Sequence, residues 1–545
     1  MRLALDLLIA FNSLAVARAS SISQPASDCS SLLNLTLAPG YEVSNAAIFQ
    51  SETLNASGIV NTVALCRVEG TIHYGHDLAP GDDGPNTLTW NLYLPKPNDY
   101  NGRFIAVGKD HPTISMDSSP LRPKAVSLLD IPLGNGGYAG EIDEASMMTQ
   151  LNLGYAVAGC DSGHSIAATG NSTSAPFLKN NAEVKAWIHD SIAMTTNLTR
   201  DLTTEFYTET PAFSYYYGCS TGGAQGYALA QLYPEMFDGI FAGSPGNWYS
   251  HLILSFLWNG LHTQRSGYMS QEVLDFITTK VVSACDHLDG AIDGLIENPQ
   301  LCKYNITQLE CASGQNSTTS DGAVECLTSD QISATKAIYD GPKSTIDGEE
   351  IYPGMSLGSE SSWLLQETTL YTTYSALILK ELVFDRSSYN VSKFDWGEDV
   401  LEVDQIASPL IDAISSDLSA FHSRGGKLIT TQGWADPFNA ALWPIQHRNQ
   451  IQANMSGINA SDFMEIFMVP GGGHCGSNPA YPHVPGTYDV LDALALWVEQ
   501  GVYPAEIKSS DPPDGTNTTR KLCPWPKNAR YVAGDVDDWV SYDCA

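Results

Sequence analysis

The sequence predicts an α/β fold built on a mostly parallel sheet and interrupted by one long insertion. Three observations predict it. Apolar runs of strand length recur along the chain, segments with helical periodicity lie between them, and one strand passes into one helix through a tight glycine-rich turn. The strand-like runs are 88–94 (LTWNLYL), 103–107 (RFIAV), 155–159 (YAVAG), 213–217 (FSYYY), 239–242 (GIFA), 427–431 (KLITT) and 464–469 (MEIFMV). Runs this apolar fit strands covered on both faces, as in a buried parallel sheet. Helical spacing runs through 182–206, where Val184, Trp187, Ile188, Ile192, Met194 and Leu198 recur every three to four residues. It recurs in 223–232 and 488–499. The alternation stops between about 247 and 422, a region of clustered cysteines, acidic Gly-rich turns and Ser/Thr-rich loops. It reads as an inserted lid domain. The expected organisation is a signal peptide (1–19), the first part of the core (20–246), the lid (247–421) and the second part of the core (422–545).

Composition narrows the function. The 545 residues are 43% hydrophobic and 16% charged, enough apolar material for a sizeable core. A formal net charge of −34 repels phosphate backbones and excludes nucleic acid as a partner. At the N-terminus, Arg2, an apolar stretch and Ala17-Arg18-Ala19 have the form of a secretory signal peptide. No later stretch is apolar for the ~20 residues that a membrane span needs, so the expectation is a secreted protein with no membrane partner. The 11 cysteines agree with an oxidising compartment. So do ten N-x-S/T sites, at Asn34, Asn55, Asn171, Asn197, Asn305, Asn316, Asn390, Asn454, Asn459 and Asn517. The odd cysteine count leaves one thiol over.

The glycine-rich turn carries the chemistry. Gly218-Cys219-Ser220-Thr221-Gly222 follows a strand and opens a helix, which is the context that gives G-x-S-x-G meaning. The turn exposes the Ser220 hydroxyl and aims the Thr221 N–H at a developing oxyanion. The fold is therefore expected to be that of an α/β-hydrolase, in which the acid and then the base follow the nucleophile along the chain. Asp436, in Gln432-Gly433-Trp434-Ala435-Asp436-Pro437, sits just past the strand 427–431. His474, in Gly471-Gly472-Gly473-His474-Cys475-Gly476, sits just past the strand 464–469. Ligands bind at such carboxyl ends of strands. His474 would take the Ser220 proton and hand it to the leaving alcohol, while Asp436 fixes the imidazole tautomer. Cys219 precedes the nucleophile and Cys475 follows the base. A Cys219–Cys475 disulfide would tie the two loops together, because its sulfurs must lie about 2.05 Å apart. Asp161 and His164 also stand near a strand end, but they precede the nucleophile and are read as structural.

Cys-Ser, then Asp, then His-Cys resembles the arrangement of the tannase and feruloyl esterase family. Phe237-Asp238-Gly239-Ile240 and the tail Leu522-Cys523-Pro524-Trp525-Pro526 ending in Cys544 extend the likeness over most of the mature chain. The resemblance implies a serine carboxylesterase acting on esters of phenolic acids, with a lid that shapes the acyl pocket. Its expected partner is a phenolic ester, linked to plant cell-wall polysaccharide. Feruloyl esters stand ahead of galloyl esters. The rival expectation is a catalytically inactive wall-binding homologue.

The lid adds a calcium expectation. The loop 285–295 (CDHLDGAIDGL) packs three carboxylates between glycines, and calcium takes six to eight oxygens. Asp286, Asp289 and Asp293, with the carbonyls of Ala291 and Leu295, are the expected ligands; the family resemblance implies a structural calcium at the matching loop. Cys285–Cys302, Cys311–Cys326 and Cys523–Cys544 are expected staples. Cys29, Cys66 and Cys160 cannot all pair, and a family partner is missing near Glu141.

The second oxyanion donor is expected from Gly134-Asn135-Gly136-Gly137, with Gly136 or Gly137 giving its N–H. The stretch 109–133 (KDHPTISMDSSPLRPKAVSLLDIPL) separates that loop from its strand. Deleting it with one flanking glycine gives RFIAVGNGGYAGEI, which looks like an uninterrupted relative. Gly108-Lys109 can be encoded with a splice donor, Leu128-Leu129-Asp130 with a branch site and Leu133-Gly134 with an acceptor. The stretch is read as a retained intron. The alternative is a surface insertion, which costs little closure entropy.

Overall fold

The computed structural model describes residues 28–75, 86–108, 137–138, 140–164, 175–320 and 322–545. The signal peptide, the stretch 109–133, Gly134 to Gly136 and Asn171 lie outside the described residues.

Nine strands form one sheet: β1 (Tyr41–Phe49), β2 (Leu65–Tyr74), β3 (Asn86–Pro95), β4 (Arg103–Val107), β5 (Ala156–Cys160), β6 (Phe213–Cys219), β7 (Gly239–Gly243), β8 (Lys427–Gly433) and β9 (Met464–Val469). Their spatial order is β1-β2-β3-β5-β4-β6-β7-β8-β9. From β5 to β9 every neighbouring pair is parallel. All seven strand-like runs are strands of this sheet. One expectation needs correcting, because β3 runs antiparallel to both β2 and β5. An apolar run shows that both faces are covered; it does not carry direction. The strands β1 and β2 had no such signal, since residues such as Glu42, Arg67 and Glu69 break their apolar character.

Alternation along each strand feeds two core layers. Phe104, Ala106, Tyr216, Ile240 and Leu428 point into one layer; Ile105, Val107, Tyr215, Phe241 and Ile429 point into the other. Helices α1 (Glu144–Asn152), α2 (Ser191–Tyr207) and α3 (Thr221–Leu232) connect or follow the early strands. The pattern at 182–206 is a short helix over Asn181–Lys185, a π turn over Ala186–Asp190, and then α2.

Between Gly243 and Lys427 no strand of the large sheet occurs among the described residues. This stretch holds α4 (Tyr249–His262), α5 (Gln271–Cys285), α6 (Ser329–Asp340) and the short α7 (Leu364–Thr368). Its apolar residues, among them Leu257, Ile338 and Ile378, belong to the same core layer as α3. Helices α8 (Leu442–Asn454) and α9 (Val490–Gln500) then pack with the last strands.

Five disulfides fasten the chain. Cys219–Cys475, Cys285–Cys302, Cys311–Cys326 and Cys523–Cys544 join as expected, and the open group resolves as Cys29–Cys66 with Cys160 buried and free. Sheet order explains that choice. Strand β3 lies between Cys66 on β2 and Cys160 on β5, whereas the helical turn Cys29–Asn34 packs on β1 and β2.

Candidate active site

Ser220 is the single residue between β6 and α3. Its backbone adopts φ 63° and ψ −120°, a strained conformation for a residue with a side chain. The strain is held in place by neighbours. The Ser220 N–H donates to the Gly243 carbonyl at the end of β7 (3.0 Å), and its own carbonyl accepts from Ala224 N–H (3.0 Å). The turn has no room for a side chain at Gly218, where a Cβ would lie 2.7 Å from the Gly222 carbonyl oxygen.

The acid and base occupy the ends of the next two strands. Asp436 is buried just after β8, and its carboxylate accepts from His474 Nδ1 at 2.8 and 3.0 Å. Gln432 Nε2 donates to Oδ2 (2.9 Å), while the N–H groups of Phe438 and Asn439 donate to Oδ1 (2.8 and 3.1 Å). Burial alone would raise this carboxyl; His474 beside it and the two backbone donors outweigh burial and hold it below the usual carboxylate range. Asp436 therefore stays ionised and keeps the His474 proton on Nδ1, which leaves Nε2 as the acceptor. The His474 side chain is 6% exposed and lies under the Phe438 ring, with centroids 4.6 Å apart.

The Cys219–Cys475 disulfide joins the residue before Ser220 to the residue after His474, with Cα atoms 5.8 Å apart. The structure thus brings Ser220, Asp436 and His474 to one edge of the sheet.

Polar side chains that the sequence reading did not single out hold these loops. Ser244, one residue past β7, accepts the Cys475 N–H on its hydroxyl (3.1 Å) and the Asn439 amide on its carbonyl (2.7 Å). Asn478 donates to the carbonyls of Ala435 and Gly471 (3.2 Å each), bridging the acid and base loops. Gln366, fully buried on α7, donates to the carbonyls of Pro437 and Phe438 (3.0 and 3.1 Å). The stretch between β7 and β8 therefore touches the acid loop directly. Ser244 could have been sought at the carboxyl end of its strand, where sites gather in such sheets. Gln366 had no local signal.

Gly137 reaches the nucleophile's turn. Its carbonyl accepts from Thr221 Oγ1 (3.2 Å) and Trp187 Nε1 (2.9 Å), with φ at 62°. His164 Nε2 donates to the carbonyl of Tyr138 (2.8 Å), and Asp161 accepts the N–H groups of Thr89 and Gly163. Asp161 thus holds the turn that follows β5, and His164 props the loop that contains Gly137. Upstream of 109–133, the Gly108 N–H donates to the Tyr217 carbonyl (2.9 Å). Gly108 and Gly137, the nearest described residues on either side of that stretch, thus bond to the nucleophile's own strand and turn.

In the acidic loop, Asp286 accepts the N–H groups of Asp293 and Gly294, Asp289 that of Ala291, and Asp293 that of Leu295. Arg520 is buried against them, 2.5 Å from Asp293, 3.1 Å from Glu297 and 3.5 Å from Asp289. Among the described residues no three acidic, histidine or cysteine side chains converge at metal-holding distance. Three carboxylates, those of Asp289, Asp293 and Glu297, thus face the single Arg520 guanidinium, and carboxylate oxygens are the donor type that calcium takes.

Comparison with known proteins identifies the relatives of this chain. The family described as "Tannase and feruloyl esterase" matches residues 130–545, beginning near the end of the 109–133 stretch. Feruloyl esterase B of Aspergillus niger is 31% identical over 443 residues, which cover 76% of this chain and 81% of that protein. The crystal structure of feruloyl esterase B from Aspergillus oryzae aligns with a TM-score of 0.79 at 24% identity, over 95% of this chain and 99% of that one. Tannin acyl hydrolase from Aspergillus niger aligns at 0.73 and 18% identity, over 93% and 92% of the two chains. The structural likenesses establish the fold as that of these esterases, an α/β-hydrolase type.

Proposed function

The chain belongs to the tannase and feruloyl esterase family and is a carboxylic ester hydrolase, and from that premise we propose a serine esterase that cleaves feruloyl esters of plant cell-wall polysaccharide, with Ser220, His474 and Asp436 as its triad. One observation carries the assignment of roles. The His474 Nδ1 to Asp436 contact of 2.8 Å stands on a loop bonded through Cys475 to the residue beside Ser220.

His474 Nε2 removes the Ser220 proton as Oγ adds to the ester carbonyl. The N–H groups of Thr221 and Gly137 receive the oxyanion, and collapse gives an acyl-enzyme while His474 protonates the departing alcohol. Water then repeats the sequence and releases the phenolic acid. The fixed loops contribute orientation, since the reacting groups need no search. Comparing kcat/KM on methyl ferulate and methyl gallate tests the substrate class. A preference for ferulate is expected; preference for gallate, or turnover of neither, overturns it.

Calcium belongs to the same proposal as a structural ion. Asp286, Asp289 and Asp293, with the carbonyls of Ala291 and Leu295, would hold it, neutralising excess charge beside the Cys285–Cys302 staple. A chelator should lower Tm, and added calcium should restore it. Export after removal of residues 1–19 completes the reading. Nine of the ten sequon asparagines fall among the described residues, and all nine are exposed. No described helix is long and apolar enough to cross a membrane.

A further inference from the structure

The C-terminal segment carries a cleft that ester hydrolysis does not use. Strands β10 (Ile507–Ser510) and β11 (Arg520–Leu522) pair, and the chain then folds back over them, clipped by Cys523–Cys544. Between them lies an open cleft of about 460 Å³, within the ~300–1,000 Å³ range of ligand pockets. Its lining includes Asn517, Thr518, Thr519, Lys508, Asp537 and Trp539. This combination of one broad ring with hydroxyls, a carboxylate and an ammonium suits a sugar. The C–H face of a pyranose lies flat on an indole while its hydroxyls meet polar groups at the rim. The Lys521 ammonium sits 5.0 Å from the Trp539 ring centroid and covers one indole face, so a sugar would stack on the other.

The occupant is marked by the chain itself, because Asn517-Thr518-Thr519 is a sequon and all three residues line the cleft. Asn517 is exposed. The sequon threonine is not free in the folded protein: its hydroxyl accepts the Trp539 N–H (3.1 Å), and its N–H donates to the Asp537 carbonyl (2.9 Å). Resting on the proposal that the chain is exported, we propose that Asn517 carries an N-linked glycan whose first N-acetylglucosamine units lie in this cleft against Trp539, and that transfer precedes docking of the segment around Trp539. In the transfer, Asn517 Nδ2 bonds to C1 of the N-acetylglucosamine of a lipid-linked oligosaccharide. The lipid diphosphate departs from C1, and the amide loses one proton. Once the segment docks, the Thr519 hydroxyl that makes the sequon recognisable is engaged, so the order is modification first and closure second.

The test uses the full chain secreted from a eukaryotic host. Glycopeptides are mapped, and glycan release by an endoglycosidase is timed on native and on denatured, reduced protein. The expected result is an occupied Asn517 whose native release is at least ten-fold slower than that of glycans at exposed Asn34 and Asn454, with the difference gone after denaturation. Trp539→Ala should speed release at Asn517 alone. Asn517 found bare while other sequons are occupied overturns the proposal and leaves export standing; so does native release at Asn517 as fast as at Asn34. If every sequon is bare, the proposal falls together with the export reading. The wild-type comparison decides even if the Trp539 variant fails to fold.

Discussion

Replacing Asp436 with asparagine should silence the esterase without unfolding it, and the hydrogen bonds say by how much. Oδ1 of Asp436 accepts two backbone N–H groups, from Phe438 and Asn439, so in the variant the amide oxygen must take that position. The NH₂ group then occupies the place of Oδ2, facing Gln432 Nε2 and His474 Nδ1. Two donors cannot share one bond, and Oδ1, the longer of the two His474 contacts at 3.0 Å, already takes two backbone N–H groups; His474 therefore turns its lone pair toward the amide NH₂ and carries its proton on Nε2. In that tautomer it cannot accept the Ser220 proton. A loss of about 10³- to 10⁴-fold in kcat follows, roughly 4–5.5 kcal/mol of transition-state stabilisation. The assay is kcat and KM on a soluble feruloyl ester across pH, with circular dichroism to verify the fold. KM should move little. A folded variant within ten-fold of the wild-type kcat refutes the assignment of Asp436 as the residue that fixes the tautomer.

Three further outcomes are expected. Cys219→Ser with Cys475→Ser, assayed well below its Tm, should lose about 100-fold in activity because the loops no longer hold their geometry; secreted yield should fall far less, and equal losses would count against a catalytic staple. Burial raises the Glu367 carboxyl to about 8, and its Oε1 has no hydrogen-bond partner among the described residues. An acid raised in the folded state favours folding most below its unfolded pKa of about 4.3, so stability should fall as pH rises from there to about 8. Glu367→Gln should flatten that slope in a Tm-versus-pH series and exceed the wild type at pH 9; parallel curves would contradict it. Deleting 109–133 with one flanking glycine should give an esterase at least as active as the full chain, because Gly108 and Gly137 are both bound to the nucleophile's strand and turn; an inactive but folded product would show that the stretch is needed.

The sheet was legible wherever burial made a strand apolar on both faces, as in 103–107 and 464–469. It was not legible at β1 and β2, where charged residues such as Glu42 and Arg67 interrupt the pattern. The triad could be read because each member sits on a short motif at a strand end. Its support could not, because those bonds join residues far apart in sequence. Asn439 and Ser244 lie 195 positions apart, and Gln366 and Pro437 lie 71 apart. Spacing left Cys29, Cys66 and Cys160 undecided; only the position of β3 between β2 and β5 separates the third from the other two. The acidic loop was visible as charge, whereas its partner Arg520 comes from the C-terminal segment, 227 residues beyond Asp293.

Everything proposed for the site depends on Ser220 being a nucleophile activated by His474. A fluorophosphonate probe followed by peptide mapping tests it most directly. One label per chain is expected, on Ser220, abolished by Ser220→Ala and slowed at least 100-fold by His474→Ala. A folded, unlabelled wild type, or label on another serine, would contradict it.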